Sequence, residues 1–475
     1  MIIIPEIFLS LVTLVLLVIG PFIKKNAHYI IGYCSLFFLI ISQFFIFKNI
    51  FQFQEIFNGF FVVDSFGSFM KCLLLIGSSI ILYMYLTVNK DISINKIEFP
   101  ILVVISLIGM MFMVSSNDLL SLFLSMEIQS LALYILVAFS KEEINSSEAG
   151  VKYFVIGSIS TCIFLLGTSL IYGFFGTTNF LEISKLLSQS KEISLLIIIG
   201  VVFILVSLSL KVSAAPFHMW TPDVYQGSPT IITAFLSIVP KIAAFAVIIR
   251  FLVFPFGEIN VDWGKIIIIL AISSMIVGSF GALFQTDLKR LFAYSTINHV
   301  GFMLIGLVPG MEDGIIAISI YLILYVLMNT GVFLVILNLR LDDRNVTEIK
   351  DLSGYFNNNP FMAICMAIFV FSMAGIPPLS GFLGKLIVLN VAIDNNLFFL
   401  AVIAVLTSVV AAFYYLRIVK LMFFDKQVDE LDININKESK VLLLILAFLN
   451  ISILFYPQFF LDLSASITFS LFAVN

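Results

Sequence analysis

Four ionisable side chains lie inside stretches of sequence that are otherwise apolar. Glu127 follows LLSLFLSM, Lys211 follows FILVSLSL, Lys241 interrupts FLSIVPKIAAF, and Lys385 follows AGIPPLSGFLG. A charge at the centre of a membrane helix costs roughly 2.5–3.5 kcal/mol on insertion scales, so such residues mark functional sites by default. Carboxylates and amines each bind and release one proton. The three lysines and the glutamate therefore predict a path for proton transfer.

His299 is a fifth candidate for this path. It lies inside the stretch YSTINHVGFMLIG, and an imidazole can take up and release a proton near neutral pH. A histidine that only forms hydrogen bonds between two helices would fit the same sequence, so both interpretations stay open.

Other polar side chains near these sites could bind water that carries protons between them. They are Thr233, Ser237, Gln285, Ser295, Thr296, Asn298, Tyr321, Tyr325, Asn329 and Ser372. The alternative for the serines and threonines is a purely structural role, because these residues commonly join helices inside membranes.

The composition predicts an all-α polytopic membrane protein. The chain is 61% hydrophobic and only 11% charged, whereas soluble domains carry about 25% charged residues. No basic stripe suggests nucleic acid as a partner. The four cysteines are widely spaced and there are three histidines, so no metal or iron–sulfur site is expected. Without a phosphate-binding loop either, the energy must come from a partner or an ion gradient.

About fourteen transmembrane helices are expected, because a span needs about 20 mainly apolar residues. The predicted spans are 2–23, 28–50, 66–88, 98–116, 118–140, 151–175, 193–216, 229–256, 265–284, 291–309, 314–339, 360–394, 397–423 and 440–462.

Proline breaks the seventh and twelfth predicted spans. Pro216 follows Lys211, and Pro377 and Pro378 precede Lys385. Proline removes a helical hydrogen bond, and in lipid the freed carbonyl groups need protein or water as partners. Each break is in the fourth helix of a five-helix unit, which indicates two inverted five-helix repeats with broken helices 7 and 12.

The predicted domains follow from this repeat. They are an N-terminal three-helix region over 1–97, the first repeat over 98–256, the second over 265–424, and a C-terminal loop and last span over 425–475.

Basic residues near the helix ends set the expected orientation, since loops on the inner side are enriched in lysine and arginine. Alternate loops collect Lys24, Lys25, Lys90, Lys96, Lys141, Lys152, Lys289, Arg290, Arg340, Arg344, Lys350, Lys420, Lys426, Lys437 and Lys440. The opposite loops are mainly acidic, with Lys185, Lys191 and Lys265 as exceptions. Both termini are therefore expected on the outer side of a bacterial or mitochondrial inner membrane.

Four further basic residues lie near span ends, where long side chains can reach the membrane surface. We expect this of Lys48, Lys71, Arg250 and Arg417, and we leave them out of the proton path.

Several longer motifs resemble one family. They are VVDSFGSFMK, NDLLSLFLSMEIQSLALYILVAF, EAGVKYFVIGS, KVSAAPFHMWTPDVYQGSPT, FLSIVPKIAAF, DLKRLFAYSTINHVGFMLIG and AGIPPLSGFLGK. Together they resemble the subunit N (subunit 2) family of respiratory complex I, the proton-pumping NADH:quinone oxidoreductase, whose members belong to the antiporter-like subunits. The family carries a glutamate on helix 5 and lysines on helices 7 and 8, which fall here on Glu127, Lys211 and Lys241. Its lysine or glutamate on broken helix 12 falls on Lys385.

The resemblance implies a redox-inactive, proton-translocating subunit of an NADH:quinone reductase. FMN, the iron–sulfur clusters and quinone would then belong to partner subunits, with no cofactor in this chain. The implied partners are other membrane subunits of complex I, including antiporter-like paralogues and the small helical subunits that lead to the quinone site, and the lipid bilayer.

Two alternatives remain open. Mrp-type cation/proton antiporter subunits share the four charges, and sodium-dependent transport would favour them. A membrane scaffold could also use buried ions only to join helices; neutralising the lysines would then leave pumping intact and weaken assembly.

Overall fold

The computed structural model describes residues 3–88, 92–189, 193–341, 344–426 and 435–472. Lys90 and Lys191, which were counted for the orientation, lie outside these ranges, and so do parts of the predicted C-terminal region, 427–434 and 473–475.

Three helices and a hairpin form the N-terminal region. The helices are α1 (Ile4–Ile19), α2 (Ala27–Lys48) and α3 (Ser65–Thr87), and the antiparallel hairpin pairs β1 (Gln54–Ile56) with β2 (Phe61–Val63). Asp64 directly precedes α3, and its side chain accepts a hydrogen bond from the Gly67 backbone N–H and so caps the helix.

The middle of the chain forms seven helices. They are α4 (Glu98–Ser115), α5 (Leu119–Val137), α6 (Ile144–Phe175), α7 (Phe180–Gln189), α8 (Leu195–Val212), α9 (Trp220–Gly227) and α10 (Thr230–Val253). Helix α10 is buried along its whole length, so it forms the centre of the bundle.

The remaining helices are α11 (Asn260–Leu283), α12 (Leu288–Leu307), α13 (Glu312–Asn338), α14 (Tyr355–Asn358), α15 (Pro360–Ala374), α16 (Ser380–Asp394), α17 (Phe398–Phe424), α18 (Lys437–Phe455) and α19 (Gln458–Phe472). The strands β3 (Arg340–Leu341) and β4 (Arg344–Asn345) form a second antiparallel hairpin. Short 3₁₀ turns cover Gly20–Phe22, Ile92–Ile94, Gly257–Ile259 and Ile349–Leu352.

Twelve of the described helices are long and apolar enough to cross a membrane. The two other predicted spans are α12, which carries several polar residues, and the pair α15 and α16, each of which is too short alone. The all-α polytopic fold is therefore confirmed. The predicted end of the last span at residue 462 is wrong, because α18 ends at Phe455 before Pro457 and α19 begins at Gln458.

The two broken helices point into the bundle from opposite sides. Helix α8 ends at Val212 and α15 at Ala374, and each is followed by a residue with positive φ, Ser213 (68°) and Gly375 (84°). Successive spans alternate in direction, so the seventh and twelfth spans run antiparallel. The helix ends at the two breaks therefore approach the membrane centre from opposite faces, as inverted repeats require.

Matching close contacts in the two halves support the repeat. Gly109 of α4 meets the backbone of Gln129 on α5, and Gly278 of α11 meets the backbone of Asn298 on α12. A β-carbon at either glycine would lie only 2.6 Å or 2.5 Å from the facing backbone nitrogen. The two pairs have the same sequence separation, so the first two helices of each half pack in the same register.

Candidate functional site

Glu127 and Lys211 lie close together without forming an ion pair. The Glu127 Oε1 atom accepts a hydrogen bond of 2.7 Å from the Thr161 hydroxyl. Lys211 Nζ donates to Ser130 Oγ at 2.8 Å, and Ser130 lies one turn after Glu127 on α5. The two charges still interact electrostatically. Lys211 therefore contacts the face of α5 that carries Glu127, the residue with which the sequence predicts it to pair.

Glu127 lies at the perimeter of the bundle. It is half-buried, and the neighbouring α5 residues Leu124, Ile128 and Leu131 are 60%, 41% and 53% exposed. The carboxylate is thus positioned where lipid or another subunit would cover it.

Lys241 of α10 is fully buried. Its amine lies next to the C-terminal end of α8. Its Nζ donates to the backbone carbonyl of Lys211 at 3.2 Å and to Ser213 Oγ at 2.5 Å. The same atom lies 5.1 Å from the centre of the Trp220 ring, a distance at which the ring face attracts a cation.

Lys385 of α16 likewise contacts the end of a broken helix, in the second half. Its Nζ donates to the Ala374 carbonyl at the end of α15, at 2.8 Å, and to Ser408 Oγ at 3.1 Å. The Phe302 ring lies 5.0 Å away. A β-carbon on Gly375 would lie 2.8 Å from Lys385 Cδ, so glycine leaves room for this side chain.

The two lysine sites share one electrostatic principle. The last carbonyl groups of a helix have no partner within that helix, and the helix dipole places partial negative charge there. Lys241 and Lys385 each bring an amine to the end of a broken helix. In both halves the break therefore creates a cation-binding position inside the membrane.

A tyrosine connects the first half to the second. Tyr325 OH donates to the Ser237 carbonyl at 2.9 Å and also lies 3.2 Å from Thr296 Oγ1. Ser237 lies one turn before Lys241 on α10, and Thr296 lies one turn before His299 on α12. The hydroxyl thus bridges the helices that carry Lys241 and His299.

His299 lies between two more tyrosines. It is 1% exposed, its Nδ1 is 2.8 Å from Tyr321 OH, and its Nε2 is 3.2 Å from Tyr415 OH. Tyr415 OH is also 2.5 Å from Ser295 Oγ. One turn after His299 on α12, the Phe302 ring lies 5.0 Å from Lys385 Nζ.

The structure thus buries Lys241, His299 and Lys385 in the interior of the bundle. The Lys211 backbone carbonyl contacts Lys241 alone of these three. Four further site residues were not predicted from the sequence: Ser213, Trp220, Ser408 and Tyr415. Each has a polar or aromatic group next to a helix break or inside an apolar helix, which could have marked it as a candidate. Which residue each one contacts could not be predicted, because the partners lie far away in the sequence.

One lysine and one arginine side chain were wrongly predicted to reach the membrane surface. Lys71 is buried and forms an ion pair with Glu6 of α1. Arg250 is buried and pairs with Asp64 at 2.7 Å. Both carboxylates belong to the N-terminal region. Each basic side chain thus forms an ion pair with a residue far away in the sequence and does not extend to the membrane surface.

Within the described ranges, no group of three or more histidine, cysteine, aspartate or glutamate side chains is arranged to hold a metal ion. The site is thus built from amines, hydroxyls, an imidazole and one carboxylate.

The chain is similar to several known membrane proteins. Residues 116–411 match the family described as NADH:quinone oxidoreductase/Mrp antiporter, TM. The NADH-quinone oxidoreductase subunit N of Rhodospirillum rubrum is 44% identical over 442 residues, which is 93% of this chain and 91% of that protein. The protein of the same name from Pelagibacter ubique is 44% identical over 91% of this chain and 92% of its own length.

Solved structures have the same fold. A chain of respiratory complex I from Thermus thermophilus with bound aureothin superposes with a TM-score of 0.84 at 26% identity, covering 97% of this chain and 99% of that one. A chain of the Mrp complex from Dietzia also gives a TM-score of 0.84, at 19% identity, covering 98% and 96%. The second likeness concerns the fold alone.

Proposed function

Because the chain belongs to the NADH-quinone oxidoreductase subunit N family, we propose that it translocates protons as a membrane subunit of the NADH:quinone oxidoreductase complex. Twelve candidate spans among the described residues make it a multi-pass membrane protein, and chains with this fold occur in multi-subunit membrane complexes. The observation that carries the proposal is the burial of Lys241, His299 and Lys385 inside the bundle, each with hydrogen-bond partners.

The proton path that we propose runs from Lys211 to Lys385. Lys211 and Lys241 meet at the end of α8. Tyr325 links the helices of Lys241 and His299, and Phe302, one turn after His299 on α12, contacts Lys385. Hydroxyl groups that line the gaps can supply the two to four hydrogen bonds that a bridging water needs.

Glu127 controls the charge of Lys211 in this proposal. A carboxylate near an ammonium favours the charged lysine, and removal or neutralisation of that carboxylate favours proton release. Glu127 lies at the perimeter, so movement or protonation in an adjacent subunit changes the field at Lys211. Lys211 then passes its proton towards Lys241, and Lys385 delivers a proton to the outer side.

Energy for this cycle comes from quinone reduction elsewhere in the complex. We place FMN, the iron–sulfur clusters and quinone in partner subunits, and we assign this chain the role of a non-redox subunit of a proton-translocating NADH:quinone reductase. Antiporter-like paralogues and the small helical subunits near the quinone site are its proposed neighbours. Both termini are assigned to the outer side of the inner membrane.

Alanine variants test the path. In the assembled complex, Lys211→Ala and Lys385→Ala are expected to lower coupled quinone reductase activity severalfold. Arginine at either position should restore little activity, because a guanidinium does not release its proton in proteins. Lys265→Ala is a matched control, since Lys265 is exposed on α11. Full turnover with normal proton stoichiometry in either buried-site variant would rule out the path.

Cation/proton antiport is the competing function, because the matching family description covers both NADH:quinone oxidoreductase and Mrp antiporter chains. Co-purification of the subunits that accompany the chain distinguishes the two. NADH dehydrogenase subunits support complex I, whereas sodium-dependent transport with Mrp-type partners supports the alternative.

A further inference from the structure

An ion-pair cluster joins α9 to both halves of the bundle at the ends facing the basic loops. The Asp223 carboxylate of α9 contacts Lys152 Nζ of α6 at 2.8 Å and Arg290 Nη1 of α12 at 2.6 Å. Arg290 Nη1 also donates to Gln226 Oε1 at 3.1 Å. Since α6 belongs to the first half and α12 to the second, this two-turn helix is held from both.

The same short helix covers Lys241. Trp220 begins α9, one turn before Asp223, and its ring lies 5.1 Å from Lys241 Nζ. The Trp220 Nε1–H group donates to the Leu210 carbonyl at 2.9 Å, and the Tyr153 ring of α6 stacks on Trp220 at 4.7 Å. The position of α9 therefore sets the position of the ring over Lys241.

A polar cavity of about 180 Å³ borders the other end of α9. Asn145, Glu148 and Lys152 of α6 line it together with Asp223 and Gln226. This space is large enough for several water molecules and has polar partners for them. Helix α9 thus touches the buried lysine at its first residue and a water-accessible cavity over its last turn.

We propose that Asp223 is a positioning residue for proton uptake, because its pairs with Lys152 and Arg290 hold α9, whose first residue covers Lys241 and whose last turn borders the cavity. This inference rests on the proposed function. The side chains of the cluster are 31–42% exposed for Lys152, Arg290 and Asp223, and exposed ion pairs are individually weak and screened by salt. A helix held this way can move during turnover, so α9 acts as a gate between the basic-loop side and Lys241.

Thiol accessibility tests the gate in the intact complex. Ser213→Cys places a reporter beside Lys241. Inverted membrane vesicles are treated with the small neutral reagent methyl methanethiosulfonate, and modification of residue 213 is quantified by peptide mass spectrometry. Adding Asp223→Asn is expected to speed modification severalfold, and Asp223→Glu to keep it slow.

Glu148→Gln is the matched control. Glu148 pairs with Lys152 on α6 itself and not with α9, so its loss should leave the modification rate of the reporter unchanged. High salt should speed modification in the Ser213→Cys parent and add nothing in the Asp223→Asn variant.

If Asp223→Asn leaves the rate of thiol modification at position 213 unchanged, the gate is overturned, even if proton pumping falls. If Asp223→Asn prevents assembly, Arg290→Gln replaces it; a faster reaction then supports the gate, and an unchanged rate overturns it. Normal pumping by the lysine variants instead overturns the proton path and leaves the thiol result standing.

Discussion

The backbone conformation of residue 375 decides where the Lys385 amine can lie. Gly375 has φ of 84° and contacts the Lys385 side chain, whereas Gly176, which ends α6 with φ of 70°, has open space around it. Both positions strain any residue with a β-carbon, but only one of them faces a proposed proton carrier.

Gly375→Ala is therefore expected to impair coupled activity, and Gly176→Ala is its matched control. Each change costs about 1–2 kcal/mol through the left-handed backbone, which predicts a similar fall in the melting temperature of the complex for both. Only Gly375→Ala should lower proton pumping severalfold, because the new methyl group displaces Lys385. Equal pumping in the two variants would contradict this role of Gly375.

Tyr415→Phe tests the hydroxyl that contacts both His299 and Ser295. Loss of that group interrupts the hydrogen-bonded connection while keeping the ring, so we expect normal assembly and slower pumping. The control is Tyr355→Phe, since the buried Tyr355 hydroxyl has no hydrogen-bond partner among the described residues. Unaltered proton stoichiometry and turnover in Tyr415→Phe would remove Tyr415 from the path.

At the scale of helices, one buried ion pair joins two helices of the N-terminal region, and another joins that region to α10. Glu6 of α1 pairs with Lys71 of α3, and Asp64 at the start of α3 pairs with Arg250 of α10. Removing one partner of a buried pair leaves an uncompensated charge, whereas replacing both with apolar residues is often neutral.

Lys71→Met or Glu6→Leu alone is expected to destabilise the α1–α3 contact by about 3–5 kcal/mol. The double variant should recover most of this loss. The measurement is the melting temperature and membrane abundance of the complex for the two single variants and the double variant. Additive losses in the double variant would show that the pair itself contributes little.

Sequence predicted the helices well and their contacts poorly. Lys241 and Lys385 were recognisable because an ionisable group inside an apolar span is energetically costly and therefore marks a functional site. The pairing of Lys71 with Glu6 was not, since it depends on which helices meet across a long sequence separation. The amphipathic helix α7 and the final helix α19 were missed for another reason: neither is a complete apolar span of its own.

For the whole molecule, apolar faces of α5, α6 and α17 form much of the perimeter. Exposed residues on them include Leu124, Phe154 and Val409. These surfaces suit lipid or neighbouring subunits, in keeping with a chain that functions within a membrane complex.

Labelling with a membrane-impermeant thiol reagent tests the orientation. Asn58 in the β1–β2 turn is predicted on the outer side, and Lys141 between α5 and α6 on the inner side; both are exposed. Asn58→Cys should be labelled in right-side-out vesicles and Lys141→Cys in inverted vesicles. The reverse pattern would invert the assignment of both termini.

The lysine sites at the helix breaks have a consequence for how a proton leaves. Lys241 has two hydrogen-bond acceptors, Lys211 O and Ser213 Oγ, and Lys385 likewise has two, Ala374 O and Ser408 Oγ. A neutral amine keeps two N–H donors of the three that an ammonium has. Each side chain can therefore lose one hydrogen and retain both hydrogen bonds, so proton release at these sites requires no change of rotamer.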